Sequence, residues 1–234
     1  MKKSVSVVVM TYNEANSLKN VIIEVLDMLT QLNCQYEIII VDDGSTDGSS
    51  EIAEKLATKY QEVRVVHHGI NLGIGGVYRT GFTEVKNDIV TFMAADGQSL
   101  AEVHFNQFLP LLDEYDMALG CLPRRDASVL SKFFAWGEKQ FFRVLFPGVP
   151  KPEGPFMFKR RLLDEIHLIS MNDTNRGWMV VWELIIRAKY QGYKLITVST
   201  KSGKRTHGKS KANTWTNAIT MIFVAIIFRM KFKR

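Results

Sequence analysis

Residues 4–14 read SVSVVVMTYNE and residues 38–47 read IIIVDDGSTD, so two β-branched runs each end in a polar turn. Similar apolar runs recur at 63–67, 89–93 and 117–120. Strands that alternate with helical stretches are typical of βαβ units and predict a mainly parallel sheet. Because such crossovers are right-handed, we expect an α/β fold with an open twisted sheet and helices on both faces.

The hydrophobic periodicity predicts the bounds of these elements. Strands are expected at Val5–Met10, Tyr36–Val41, Val63–His67, Ile89–Met93 and Met117–Gly120. Helices are expected near Ser17–Leu32, Gly48–Tyr60, Gly75–Val85 and Leu100–Asp113. The pattern then loosens into a helix near Val129–Phe146, an apolar segment Phe156–Phe158, a helix near Trp178–Gln191 and a strand near Lys194–Thr200.

The charge of the chain is unevenly divided. Its 234 residues carry a formal charge of +6, but residues 1–120 hold 8 Lys and Arg against 17 Asp and Glu, and residues 121–234 hold 22 against 7. The basic back half predicts anionic partners. With 46% hydrophobic residues, the composition excludes a mainly disordered chain. Two cysteines are too few for a disulfide framework and favour a reducing compartment.

Three of the predicted strands end in polar residues, at 11–14, 42–45 and 95–98. The carboxyl ends of parallel strands lie at one edge of a sheet, so we expect a ligand crevice there. The adjacent carboxylates of Asp42 and Asp43 are as compatible with a turn before a helix as with ligand binding.

Two further segments leave a functional and a structural interpretation open. Asp96 and Gln98 could hold a hard cation bound to phosphates, or Asp96 could form an Asx turn. The glycines of 71–76 lack dinucleotide-fingerprint spacing and favour a tight turn, although their backbone N–H groups could face a phosphate. His67 and His68 are interpreted as ordinary residues at the end of a strand.

A basic segment lies near the end of the chain. Between 204 and 211 it carries Lys204, Arg205, Lys209 and Lys211 around Gly208 and has no acidic residue. Solvated surface charge is one explanation of such a segment, and a site for one or more phosphates is the other.

Taken together, these motifs resemble the family 2 glycosyltransferases of the GT-A fold, and most closely the dolichyl-phosphate mannosyltransferase-like, polyprenyl-phosphate glycosyltransferase branch. The resemblance runs from Ser4 to about Lys211. It rests on residues 7–14, 38–47, 71–73, 79–82 and 95–98, Glu183 in the late helix, and Arg205, Gly208, Ser210 and Lys211. The family reaction transfers a sugar, with inversion, from a nucleotide-diphosphate donor to a polyprenyl phosphate at the cytoplasmic membrane face.

The resemblance also implies site residues. Donor-nucleotide contacts are implied for Thr11, Tyr12, Glu14, Val41, Asp43, Ala95, Asp96 and Gln98, with Asp43 near the base or ribose. Ligands of a divalent cation, Mg²⁺ or Mn²⁺, are implied for Asp96 and Gln98. A loop that closes on donor and acceptor phosphates is implied for Arg205, Ser210 and Lys211, and the catalytic candidates are Asp96, Arg205 and Lys211.

Ala94 is a departure from the family, because it stands where the metal motif usually begins with an aspartate. Ala94 motivates one alternative, a catalytically weak nucleotide-sugar-binding protein. The other alternative is a family 2 enzyme with a glycan or other hydroxyl acceptor, as other members of the family use. A hydroxyl acceptor would need a general base, for which Glu183 is the candidate. A lipid phosphate is already an anion and needs no strong base.

The domain interpretation follows from the resemblance and the charge. Residues 1–212 are expected to form one glycosyltransferase domain, with a nucleotide-binding half at 1–120 and an acceptor-side half at 121–212. The apolar run 218–228 is too short to span a bilayer. We therefore expect 213–234 to form a basic amphipathic helix at an anionic membrane surface, with a core-packed final helix as the alternative.

These expectations also bear on location and partners. No export signal is visible, so we expect a peripheral protein at the cytoplasmic face of a membrane, or a cytoplasmic one. The expected partners are a nucleotide-diphosphate sugar, a polyprenyl phosphate and an anionic membrane surface. Nucleic acid is not expected, because the basic half of the chain is already explained by these phosphates.

Overall fold

The computed structural model describes residues 3–32, 34–121, 137, 140–150, 154–172, 179–201, 226 and 229. Its strands are β1 (Ser4–Thr11), β2 (Gln35–Asp42), β3 (Val63–His67), β4 (Ile89–Ala94), β5 (Met117–Cys121), β6 (Phe156–Lys159) and β7 (Leu195–Ser199). Its helices are α1 (Leu18–Gln31), α2 (Ser49–Lys59), α3 (Gly73–Glu84), α4 (Leu109–Leu111), α5 (Arg161–Glu165) and α6 (Met179–Tyr190). A π-helical segment, Val103–Phe108, leads into α4, and a 3₁₀ turn spans Ile169–Asn172.

The described strands form one seven-stranded sheet in the order β3-β2-β1-β4-β6-β5-β7. Strands β2 and β4 both pair in parallel with β1, and β3 pairs in parallel with β2. Strand β6 is antiparallel to both of its neighbours, and β7 is parallel to β5. The carboxyl ends of all the strands except β6 therefore lie at the same edge, and the expectation of a mainly parallel α/β sheet is confirmed.

Both faces of the sheet are buried, which explains why its strands are almost continuously apolar. In β2, Ile39 and Val41 point to one core while Ile38 and Ile40 point to the other. The first core contains α3, α6 and the aromatic side chains of β6. The second contains α1, α2 and the 101–112 segment. This two-sided burial is what a parallel sheet with right-handed crossovers requires.

The structure differs from the sequence expectations in three places. Residues 156–159, expected only to be apolar, form the antiparallel strand β6 between β4 and β5. The helix expected at 100–113 is π-helical over 103–108, where the Leu109 N–H donates to the His104 carbonyl five residues back. Pro110 has no N–H, so it cannot make the α-helical bond to the Asn106 carbonyl. The short helix α5 and the 3₁₀ turn were not expected from the sequence.

Some expected elements fall partly outside the described residues. Of the helix expected at 129–146, residues 140–145 are helical and most of the rest is not described. Of the tail at 213–234, only 226 and 229 are described. Within the described part of the chain, no helix combines the length and the apolar character needed to cross a membrane.

Gly81 allows α3 to pack directly on the sheet, and this contact gives a test of the fold. A Cβ atom on Gly81 would lie 2.5 Å from Cε1 and 2.7 Å from Cζ of the Phe92 ring, and 3.1 Å from Cγ1 of Val8. We expect Gly81→Ala to lower the free energy of unfolding by about 1–3 kcal/mol through overpacking, despite the better helix propensity of alanine.

Urea unfolding of the wild type and of Gly81→Ala measures this difference in the free energy of unfolding. Gly69→Ala is the matched control, because a Cβ atom at Gly69 has no heavy atom within 4 Å. Equal stabilities for the Gly81 and Gly69 variants would show that α3 does not pack on β1 and β4 as described.

Candidate active site

The ends of β2, β1 and β4 are neighbours, so the polar residues that follow them share one edge of the sheet. Thr11 is in register with Asp42, and Met10 with Ala94. The Asp43 N–H donates to the Thr11 carbonyl at 2.9 Å, and the Ala95 N–H donates to the Met10 carbonyl at 3.0 Å. The pairing of the strands therefore continues into the turns and places the three polar segments side by side.

Asp43 is buried and its carboxylate anchors the beginning of α3. Its Oδ1 accepts the backbone N–H of Leu72 at 2.8 Å, and its Oδ2 accepts that of Gly73 at 2.9 Å. Its Oδ1 is also 2.7 Å from Nδ1 of His68. The Asp43 carboxylate, which follows β2, thus caps the N-terminus of α3, since the N-cap residue Leu72 makes no side-chain cap bond.

Asp42 is buried on the other side of the strand end and organises the turn before α2. Its Oδ1 accepts the Ser45 N–H at 3.2 Å, and its Oδ2 accepts the Ser50 hydroxyl and lies 3.0 Å from Nδ1 of His67. Burial alone would raise the pKa of Asp42, but the hydrogen bonds from Ser45, Ser50 and His67 outweigh it and lower the pKa below its ordinary value. The turn interpretation of Asp42 therefore accounts for its contacts.

The turn after β1 is built on the turn after β2. Asn13 has a left-handed backbone with φ 54°, and its N–H donates to the Ser45 hydroxyl at 3.0 Å. The Glu14 N–H donates to the Ser49 hydroxyl at 2.9 Å. Tyr12 follows β1 with its side chain partly exposed, so it can reach a ligand at the edge.

The Thr11 hydroxyl is buried at this edge. It is one of four buried side-chain polar atoms of the described residues for which no hydrogen-bond partner is found. A buried hydroxyl without a partner costs about 1–3 kcal/mol. Val41 and Ala95, by contrast, are buried apolar residues, and Val41 belongs to the core that contains α3.

Asp96 and Gln98 follow β4 in an Asx turn. The Gln98 N–H donates to Oδ1 of Asp96 at 3.0 Å, with Gly97 at φ 78° between them. Asp96 is half-buried and Gln98 is exposed. Among the described residues, no group of three or more His, Cys, Asp or Glu side chains could hold a metal ion. One carboxylate and one amide oxygen fit only a cation whose other ligands are phosphate oxygens and water.

Glu183 on α6 is fully buried and serves as a structural anchor. Its Oε1 accepts the Ile169 N–H at 3.0 Å and the Arg187 Nε–H at 2.6 Å. Its Oε2 accepts the Ser170 N–H at 2.8 Å and also the Ser170 hydroxyl. Four donors thus occupy the carboxylate and join α6 to the 3₁₀ turn. These contacts do not suit the general-base interpretation of Glu183.

The remaining predicted site residues, Arg205, Ser210 and Lys211, lie outside the described residues. Two residues that the sequence interpretation treated as ordinary, His67 and His68, are instead the partners of Asp42 and Asp43. The strand register indicates these contacts, because Asp42 and His67 are paired in the parallel strands β2 and β3. Two consecutive carboxylates beside two consecutive imidazoles predict two carboxylate–imidazole contacts on opposite faces.

Comparison with known proteins agrees with this fold and identifies the family. The model of glycosyl transferase family 2 matches residues 6–177. The chain therefore belongs to glycosyl transferase family 2.

Curated relatives include enzymes whose names contain a polyprenyl phosphate. The chain is 28% identical over 216 residues to a dolichol-phosphate mannosyltransferase of Pyrococcus furiosus, with 88% of the chain and 58% of the relative covered. It is 27% identical over 219 residues to an undecaprenyl-phosphate 4-deoxy-4-formamido-L-arabinose transferase of Aeromonas hydrophila, with 89% and 63% covered. The chain thus spans about six tenths of the length of these relatives.

Solved structures confirm the GT-A fold. Glucosyl-3-phosphoglycerate synthase from Mycobacterium tuberculosis, in complex with Mn²⁺, UDP and phosphoglyceric acid, matches with a TM-score of 0.68 at 17% identity, covering 99% of this chain and 80% of that one. A mannosyltransferase from Pyrobaculum calidifontis, in complex with GDP-Man and Mn²⁺, matches with a TM-score of 0.63 at 17% identity, covering 100% and 66%.

The contacts of Glu183 predict a loss of stability when the carboxylate is replaced. In Glu183→Gln an amide group must face N–H donors, so we expect the free energy of unfolding to fall by about 3 kcal/mol. Urea unfolding gives the value, with the exposed Glu102→Gln as the matched control. A variant that keeps full stability but loses all transfer activity would instead support a general-base role.

The contacts of His67 predict a pH-dependent contribution to stability. The hydrogen bond with Glu54 raises the pKa of His67, and Asp42 raises it further. A raised pKa means that the protonated imidazole stabilises the fold below about pH 6, and that this contribution is lost as the pH rises through the folded-state value.

We therefore expect the stability difference between the wild type and His67→Gln to be larger at about pH 5.5 than at about pH 8.5. Urea unfolding across this range measures it, and the exposed His167→Gln serves as the control. A difference that stays constant with pH would mean that His67 is not charged in these contacts.

Proposed function

We propose that this chain is an inverting glycosyltransferase that transfers a sugar from a nucleotide-diphosphate donor to a polyprenyl phosphate at the cytoplasmic face of a membrane. The binding of the donor is inferred from one observation: Thr11 ends β1, Asp43 and Asp96 follow the neighbouring strands β2 and β4, and all three lie at the same edge of the sheet. The polyprenyl phosphate in the names of the curated relatives supports the acceptor part.

The donor nucleotide binds where the turns after β1, β2 and β4 meet. Tyr12 and Glu14 on the first turn, Asp43 on the second, and Asp96 with Gln98 on the third contact it. The buried Thr11 hydroxyl supports this placement, because a polar ligand at the edge supplies the partner that it lacks. Val41 and Ala95 form the apolar floor below the nucleotide.

Asp96 and Gln98 hold the divalent cation, Mg²⁺ or Mn²⁺, together with the diphosphate of the donor. When bound, the cation neutralises the negative charge that develops on the leaving diphosphate. Relatives of the same fold carry Mn²⁺ with a UDP or GDP ligand, which supports this assignment. Ala94 leaves Asp96 as the carboxylate of the motif, so we expect the cation to bind weakly until the nucleotide is present.

The basic half of the chain binds the phosphates of the donor and of the acceptor. Arg205, Ser210 and Lys211 close on the donor and acceptor phosphates, and the two cations stabilise the leaving group. An oxygen of the lipid phosphate attacks the anomeric carbon from the face opposite the diphosphate. The bond from this carbon to the diphosphate oxygen breaks, and its electron pair leaves with the nucleoside diphosphate, which accounts for inversion.

An anionic acceptor also agrees with the contacts of Glu183. A hydroxyl acceptor needs a base to take its proton, but a phosphate monoester is already ionised at neutral pH. The base candidate that the sequence offered accepts four hydrogen bonds in the interior. Its structural use therefore favours a phosphate acceptor over a glycan hydroxyl.

The domain arrangement follows from these roles. Residues 1–120 bind the nucleotide, 121–212 face the acceptor, and 213–234 form a basic amphipathic helix at the anionic membrane surface where the polyprenol lies. The excess of Lys and Arg in 121–234 supports contact with such a surface. Ala94 favours one other candidate, a nucleotide-sugar-binding protein with weak catalysis.

Transfer of a labelled sugar to lipid tests the proposal. We expect label in the lipid phase when the protein is incubated with a panel of nucleotide sugars, polyprenyl phosphate and Mg²⁺ or Mn²⁺. Label in an added glycan would indicate the hydroxyl-acceptor alternative. Nucleotide binding without transfer would indicate the weakly catalytic one.

Asp96→Ala tests the site within the same assay. We expect transfer to fall by about 10²-fold or more, because the cation that stabilises the leaving group loses its carboxylate ligand. Asp27→Ala is the matched control, since Asp27 is an exposed residue of α1. Equal transfer by the wild type and Asp96→Ala would contradict the assignment of Asp96.

A further inference from the structure

His68 lies directly after β3 and connects three parts of the nucleotide edge. Its side chain is only 7% exposed. Its Nδ1 is 2.7 Å from Oδ1 of Asp43, and its Nε2 is 2.8 Å from the hydroxyl oxygen of Thr80 on α3. Its backbone N–H donates to the Asp42 carbonyl at 2.9 Å. The imidazole is therefore held at both nitrogens and along the backbone.

The protonation of the two ring nitrogens follows from their partners. An ionised Asp43 can only accept, so Nδ1 must carry the proton of that hydrogen bond. Thr80 can donate or accept, so Nε2 is satisfied in either protonation state of the ring. His68 consequently offers Asp43 a fixed N–H donor in both states.

Asp43 transmits this constraint to the segment 69–73, which begins α3. Its carboxylate accepts the N–H groups of Leu72 and Gly73, and its carbonyl accepts the side-chain amide of Asn71 at 3.2 Å. The segment also lies close against Gly44, where an added Cβ would be 2.9 Å from the Asn71 nitrogen. The orientation of the Asp43 carboxylate and the shape of this segment thus depend on the same few bonds.

We propose that His68 is a positioning residue for the nucleotide site: it orients the Asp43 carboxylate, and with it the beginning of α3, for binding of a nucleoside diphosphate. This inference rests on the proposed function, because it takes Asp43 to face the donor. His68 does not itself touch the nucleotide. It acts through Asp43, which the proposed function places in contact with the donor.

Two substitutions of His68 separate its two contacts. In His68→Asn the side-chain amide nitrogen takes the place of Nδ1, so the donor to Asp43 is retained and the contact with Thr80 is lost. In His68→Gln the amide nitrogen takes the place of Nε2, so the contact with Thr80 is retained and the donor to Asp43 is lost. Each variant therefore keeps one hydrogen bond and loses the other.

The test is isothermal titration of the full chain with UDP and with GDP, each with Mn²⁺, accompanied by thermal unfolding of the free proteins. We expect His68→Gln to raise the Kd of the nucleotide that the wild type binds by about 10-fold, as for a lost charge-assisted hydrogen bond. His68→Asn should stay within about 3-fold of the wild type. His167→Gln, which changes an exposed imidazole between α5 and the 3₁₀ turn, is the matched control and should bind like the wild type.

The outcomes distinguish positioning from a purely structural role. A structural role would lower the Tm of both His68 variants and leave the two Kd values equal, which would overturn the inference. If neither variant of His68 folds, Asp43→Asn removes the charged acceptor that Nδ1 of His68 contacts, and an unchanged Kd would overturn the inference as well. Failure of the wild type to bind UDP or GDP would instead overturn the proposed function, and this inference with it.

Discussion

Two adjacent carboxylates at the end of a buried strand, Asp42 and Asp43, are the constraint on which the candidate site at the carboxyl edge of the sheet depends. A buried charge is tolerated only when hydrogen bonds and ion pairs replace its lost hydration. Asp42 obtains them from the turn before α2 and from His67, and Asp43 obtains them from the beginning of α3 and from His68. Satisfying the two charges therefore fixes the positions of both helix ends at the edge of the sheet.

The uneven charge of the chain has a physical explanation in this arrangement. A carboxylate-lined edge repels a diphosphate unless a cation lies between them, and in the proposed site Asp96 shares such a cation with the ligand. The Asp42 and Asp43 carboxylates already accept hydrogen bonds from backbone N–H groups and contact imidazoles, so they repel an anion less than the net charge of the front half suggests. In the proposed reaction, the basic back half compensates the phosphates of the donor and the acceptor.

The sequence predicts the parallel strands well because their apolar runs are buried on both faces, and β1 to β5 all lie where the periodicity places them. It does not predict β6, because a four-residue apolar segment has no period that distinguishes a strand from a buried loop. The strand-end turns of the site were predictable from residue type and spacing. The role of Glu183 was not, because it depends on contacts between residues distant in the chain, and the roles of the two histidines become clear only with the register of β2 and β3.

The most direct test of the account is a crystal structure of the chain grown with Mn²⁺ and the nucleoside diphosphate that it binds. If the proposed site is correct, we expect an anomalous manganese peak next to the Asp96 carboxylate, with the diphosphate beside it and the nucleoside between Tyr12 and Asp43. A nucleotide bound away from the carboxyl edge of β1, β2 and β4, or a manganese ion that Asp96 does not contact, would contradict it.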